Sequence, residues 1–194
     1  MRRPATQAKP VPPGAANPVM GLPHLPGWLI AVVLVLGTMA LYWPATRGGF
    51  VNLDDNVNVA SDVHVQEGLT LESIKWALFK PVNAAWWPLT VWSHMMDCQL
   101  FGLNPWGHHL TNVLLRALNA GLVFALLRQM TGTTWRSLLV AALFAVHPLR
   151  VESVAWVTER KGVLGSFFGL LTLIAYARYT EVQSLKSKLG SRLP

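Results

Sequence analysis

The chain has 194 residues, 52% of them hydrophobic and only 13% charged, with nine tryptophans. Soluble domains carry about 25% charged residues, so a soluble globular protein is excluded and an integral membrane protein is expected. The single cysteine, Cys98, excludes an internal disulfide, and the formal charge of +7 flanks apolar stretches instead of gathering on one face, which argues against a nucleic-acid surface.

Residues 1–27 carry Pro4, Pro10, Pro12, Pro13, Pro18, Pro23 and Pro26 with Arg2, Arg3 and Lys9 and no acid, a composition expected of a disordered basic arm. Trp28–Trp43 is uncharged and apolar, and with its flanks approaches the roughly 20 residues needed to cross a bilayer. A cleaved signal peptide is the rival reading. No small-x-small site follows, however, and Tyr42-Trp43-Pro44 reads as an interfacial anchor.

The longest polar part, residues 47–108, opens with Asp54-Asp55. Leu71, Ile74, Ala77 and Leu78 then recur at helical spacing behind Thr70, which predicts a capped helix ending before Lys80-Pro81 and lying along the membrane surface. Residues 84–103 are apolar but interrupted by Pro88, His94 and Asp97, so an interfacial or re-entrant segment is expected. His109–Met130 is the second span. Its His109, Asn112, Arg116 and Asn119 share one helix face. Arg116 lies about 10 Å into that span at 1.5 Å per residue, and an intramembrane arginine needs a partner, here Asp97, Glu152 or an anionic ligand. Ser137–Val146 is short. Val163–Tyr179 is the last span, with Gly165, Gly169 and Ala175 as a small-residue packing face, and residues 180–194 form a basic tail.

Four spans place Arg2, Arg3, Lys9, Arg128, Arg136, Arg178, Lys186, Lys188 and Arg192 on one side against Glu181 alone. That bias predicts a cytoplasmic N-terminus in a multi-pass cell membrane protein, with a bacterial inner membrane as the setting. Both acidic stretches, around Asp54-Asp55 and in His147–Gly162, then face outward together. The expected fold is all-α and membrane-integral, with about four transmembrane helices and a long first extracytoplasmic loop carrying an interfacial helix.

Outward carboxylates beside membrane-level cations divide two tasks. A carboxylate can take a proton from an acceptor hydroxyl, while arginine and lysine can hold a phosphate. His108, His109, His147, Asp54 and Asp55 are the metal candidates, but no ligand spacing as specific as H-E-x-x-H is present. The acidic pair alone offers oxygens that suit Mg²⁺ or Mn²⁺, so no cofactor is assigned. No glycine-rich nucleotide loop is present either.

Phe50-Val51-Asn52-Leu53-Asp54-Asp55, Leu103-Asn104-Pro105-Trp106-Gly107-His108-His109-Leu110-Thr111-Asn112 and Ala141–Val157 with Glu159-Arg160-Lys161 resemble the N-terminal membrane region of the transmembrane and tetratricopeptide-repeat O-mannosyltransferase-like proteins. The resemblance runs over most of Trp28–Tyr179 and implies the C-type glycosyltransferase fold. It implies transfer of a sugar (mannose in this family) from a polyprenyl-phosphate donor in the membrane to a protein Ser/Thr hydroxyl, with inversion, on the extracytoplasmic face. Asp54 and Asp55 match the first-loop acidic motif that supplies the catalytic base. Glu152 to Lys161 matches the second outward loop, where an acid and the cations Arg160 and Lys161 approach the donor phosphate. Relatives often carry His where this chain has Arg116, so its place as a further donor-phosphate ligand is inferred from its depth in the second span and not from the resemblance; His109, Asn112 and His147 complete the expected pocket. Family members carry more helices and continue into repeats, so residues 28–179 are expected to be a partial membrane domain, a fragment whose partner is the remainder of a split or truncated enzyme. Two other classes stay open: a non-catalytic module packing against partner helices through the Gly165/Gly169 face and the Asn112/Asn119 stripe, and a channel component in which Arg116 attracts an anion.

Overall fold

The computed structural model describes residues 25–52, 54–81 and 85–190. Nearly all of the expected arm, and Arg192 of the expected tail, lie outside those residues. Every regular element among the described residues is helical.

Four helices build the apolar body: α1 (Gly27–Tyr42), α5 (Pro105–Thr131), α6 (Thr134–Val146) and α8 (Arg160–Gly190). Three others belong to the first loop, α2 (Val63–Gln66), α3 (Leu71–Phe79) and α4 (Pro88–Phe101), and α7 (Glu152–Ala155) lies between α6 and α8. Helix α5 is the hub, packing against α1, α6 and α8. It begins at Pro105, where a missing N–H costs nothing, with the Asn104 side chain accepting from Trp106 N, and ends at Gly132, whose φ of +67° suits a residue without Cβ.

Gly27–Arg47, Pro105–Thr131 and Val157–Ser187 are long and apolar enough to cross a bilayer. The fourth expected passage is a bent pair, Thr134–Val146 followed by Pro148–Ala155 at 59°. Pro148 causes the bend: it has no N–H to continue α6, and it forces His147 into extended backbone at ψ 121°. Thirteen residues of α6 reach about 20 Å, short of the roughly 30 Å hydrocarbon core. The molecule is an all-α, multi-pass membrane protein. Helix α8 outruns the expected Val163–Tyr179, because nothing between Gly169 and Gly190 stops it: the stretch holds no proline or glycine.

The first loop is folded against one end of this body. Helix α3 follows the expected pattern, with Thr70 Oγ1 accepting from Ser73 N at 3.1 Å. Val59, Val65, Ala77, Val91, Met95, Cys98 and Val157 form a core there, so α4 buries its side chains among loop elements instead of crossing lipid. A separate core of Ile30, Phe124 and Ala141 holds α1, α5 and α6 together.

Candidate functional site

The two acidic loops meet at Asp55. Its carboxylate is fully buried; Val51 N donates to Oδ2 at 2.9 Å, while Thr158 N at 2.8 Å and Thr158 Oγ1 at 2.5 Å donate to Oδ1. Three donors occupy this group, two of them from the loop before α8. Asp54, its neighbour, is only half-buried and makes no hydrogen bond or ion pair among the described residues. Glu152 is exposed at the start of α7. Beneath it Val154 packs with Tyr42 and Val113, which fixes the second loop over α1 and α5.

Arg160 and Lys161 are adjacent in sequence but differ in placement. Arg160 is wholly buried, and its guanidinium donates to Asn112 Oδ1 at 2.7 Å, His108 O at 2.7 Å and Ser93 O at 3.1 Å. Its Nη1 also lies 2.5 Å from Asp97 Oδ2, an ion pair between two fully buried groups. Lys161 stays partly exposed, paired with Glu159 at 2.8 Å and resting over the Trp87 ring at 4.9 Å. Of the two, Lys161 is the cation with solvent access.

Arg116 is buried too, but not against an acid. It donates to Phe144 O and, at 3.3 Å, to Ala145 O, with its guanidinium 4.2 Å from the Phe144 ring centre. Tyr42 Oη donates to the same Ala145 carbonyl at 2.9 Å. These are carbonyls that α6 cannot satisfy where Pro148 breaks it, and a cation at a helix C-terminus is favourable. Neither Asp97 nor Glu152, the expected acidic partners, pairs with Arg116. The other residues of its stripe each reach a different element. His109 Nε2 lies 3.3 Å from Gly49 O, Asn112 Nδ2 3.3 Å from Trp156 O, and Asn119 Nδ2 2.8 Å from Val163 O. His147 is exposed at the bend and lines an open cavity with Phe144 and Arg150. It stands apart from the buried stripe.

His94 is not among the residues expected of the site, and Asp97 is expected there only as a partner of Arg116. His94, Asp97 and His108 are fully enclosed, with ligand-type atoms within 4.8 Å of one another. Asp97 is already engaged, taking Thr111 Oγ1 on Oδ1 at 2.8 Å and Arg160 on Oδ2, and a guanidinium in the same cluster opposes a cation. The group fits a buried ion pair flanked by two imidazoles better than a metal centre. Burial, helped by the Arg160 charge and by His108, holds the His94 imidazole well below its usual range. Burial, helped by Asp97, pushes the Cys98 thiol up to about 11. A lone carboxylate in the apolar 84–103 stretch was the signal available in sequence, since such a group needs a partner.

No family model and no solved structure matches the chain. Among curated proteins, human Protein O-mannosyl-transferase TMTC2 is 33% identical over 111 residues, covering 55% of this chain and 13% of its own. Fruit-fly (Drosophila melanogaster) Tmtc2 is 36% identical over 98 residues, 50% of this chain and 10% of its own. Mouse TMTC1 is 30% identical over 161 residues, 76% of this chain and 17% of its own. The chain therefore spans well under a fifth of the length of these relatives. Over half to three-quarters of its length, this membrane protein is a homologue of the protein O-mannosyl-transferases.

Proposed function

We propose that the chain forms the acceptor-activating part of a glycosyltransferase that moves mannose from a polyprenyl-phosphate donor to a protein Ser/Thr hydroxyl outside the cytoplasm. The observation that carries this reading is the Asp55–Thr158 contact, which joins the two acidic loops at one place. In this reading Asp54, beside that anchor and without a partner among the described residues, takes the hydroxyl proton. The acceptor oxygen then bonds the sugar C1 from the face opposite the phosphate, and the C1–O bond breaks with its electrons going to the phosphate. Lys161 is the cation open to that leaving group. Arg160, whose three guanidinium nitrogens all donate within the chain, and Arg116, whose Nη2 caps the end of α6, position α4, α5 and α6 around it. Glu152 is the alternative base.

The test is transfer from polyprenyl-phosphate-mannose to a Ser/Thr peptide by membranes carrying the chain within its native assembly. Asp54→Asn should lower the rate by about 10²–10⁴-fold, the usual worth of a general base, with insertion unchanged. Undiminished transfer would remove Asp54 from the role; a comparable loss in Glu152→Gln alone would assign the base there. Sidedness is read separately, by cysteine placed at Ser153 or Ser187 in a Cys98→Ser background. Ser153 should label from outside and Ser187 only after permeabilisation, and the reverse would overturn an N-terminus in the cytoplasm.

A second reading, a module that packs against partner helices, rests on α8. A Cβ at Gly165 or Gly169 would meet nothing within 4 Å, and Phe168, Leu171 and Leu173 beside them are exposed. Recovery of a larger membrane protein with the chain, and no transfer by that assembly, would favour it.

A further inference from the structure

The end of the helical body away from the acidic loops holds a cavity of about 650 Å³ between α1, α5 and α8. Trp28, Ala31, Phe124 and Ile174 give it an apolar wall, while Arg128 and Arg178 stand at it as cations. Both arginines are exposed, and neither takes part in an ion pair among the described residues. All nine acidic residues of the chain are among those described, so no Asp or Glu elsewhere in it is left to neutralise them. Glu181 lines the same cavity without pairing with either. Gln129 adds an enclosed Nε2 with no acceptor. The guanidinium of Arg128 lies against the first residue of α1, where a methyl group on Gly27 would overlap it. No acidic side chain stands in the first turn of that helix, and no side chain caps it. Uncapped amides, two cations and a free amide donor thus surround a space whose other wall is apolar. A ligand matched to it is anionic at one end and hydrocarbon at the other.

We infer that this cavity binds the phosphate headgroup of an anionic glycerophospholipid, with the start of its acyl chains against Trp28, Phe124 and Ile174. The site lies in the leaflet opposite the acidic loops, and it is independent of the transferase reading. Its chemistry is that of basic pockets between membrane helices, which take anionic headgroups in preference to zwitterionic ones.

The full chain, purified in detergent, is titrated with phosphatidylglycerol and with phosphatidylcholine, and bound lipid is counted by native mass spectrometry. Phosphatidylglycerol should be retained in preference, and Arg128→Gln/Arg178→Gln should weaken it roughly ten- to thirtyfold, the order expected for two interfacial cations. Arg128→Lys/Arg178→Lys should keep most of the preference, which separates charge from folding defects. Gly27→Ala should weaken retention with an unchanged melting temperature, because only the far end of a flexible side chain has to move. Glu181→Gln should strengthen it. Equal retention of the two lipids by the parent, or undiminished retention by the double Gln variant, would overturn the site. Displacement of the lipid by millimolar inorganic phosphate would assign the cavity to free phosphate and overturn the lipid reading.

Discussion

The two ends of this molecule are built on different principles. At the loop end, buried polar groups interlock: Asp55 with Thr158, Arg160 with Asp97, Asn112 and His108, and His109 with the backbone at Gly49. At the opposite end the core is Ile30, Phe124 and Ala141, and side-chain hydrogen bonding gathers in the α5–α6 turn among Thr131, Thr133 and Ser137. Apolar packing in lipid gains little specificity, since lipid tails are as apolar as leucine. A buried polar group, by contrast, tolerates few arrangements. Uniqueness of structure is concentrated where the loops are, and the far end keeps an open cavity.

The comparison can be broken most sharply at Arg160. Arg160→Leu leaves Asp97 buried and unpaired, and should cost about 3–5 kcal/mol of stability in detergent melting. Adding Asp97→Asn should recover part of it. Full stability in the single variant would show that the loop end does not depend on this pair. Next, Arg116→Leu uncovers the α6 carbonyls and should cost about 1.5–3 kcal/mol, the range for hydrogen bonds from a charged donor. Tyr42→Phe, losing one neutral bond to Ala145 O, should cost about 0.5–1.5 kcal/mol. A more stable Arg116→Leu protein would mean that desolvation outweighs the cap.

Acid should strike the loop end first. The folded state disfavours protonation of His94, so below its ordinary value of about 6.5 the unfolded chain binds a proton that the folded one resists. Stability therefore falls as pH drops from about 6.5, and is unaffected by this group above it. His94→Leu should flatten that part of the melting profile, and an identical slope would remove His94 as its source. The smallest effect is expected at the open face. Gly165→Leu and Gly169→Leu meet no neighbour and replace glycines inside a helix, so each should leave melting unchanged or raise it by up to about 1 kcal/mol. A large loss would show that the face is covered in the protein as it melts.

Much of the fold was legible in the sequence because bilayers impose simple demands on length and apolarity. The α5 span, the Thr70 cap and the stop at Lys80-Pro81 follow from periodicity and capping chemistry alone. So did the shared face of His109, Asn112, Arg116 and Asn119. What those residues touch was not legible, because each meets an element distant in sequence: Arg116 finds the end of α6, 28 residues away, and Asn112 the 156–157 backbone, 44 and 45 away. Arg160 and Lys161 are chemically alike and adjacent, and no sequence rule sends one inward to Asp97 and leaves the other at the surface. Thr158, which holds Asp55, carries no signal of its own in a polar loop.

The Asp55–Thr158 contact joins groups 103 residues apart, and this orders events during synthesis. A chain emerging N-terminus first at 5–20 residues per second exposes Asp55 several seconds before Thr158 exists. Through that interval the first loop can build Val59, Val65 and Met95 into a partial core, but its acidic turn has only the local Val51 N–H as donor. Closing so long a loop has an entropic cost that grows slowly with length, and here the intervening α5 and α6 shorten the search, α5 running to the far end and α6 carrying the second loop back. The acidic turn can therefore be completed only after α1, α5 and α6 have been made, at the point where α8 begins.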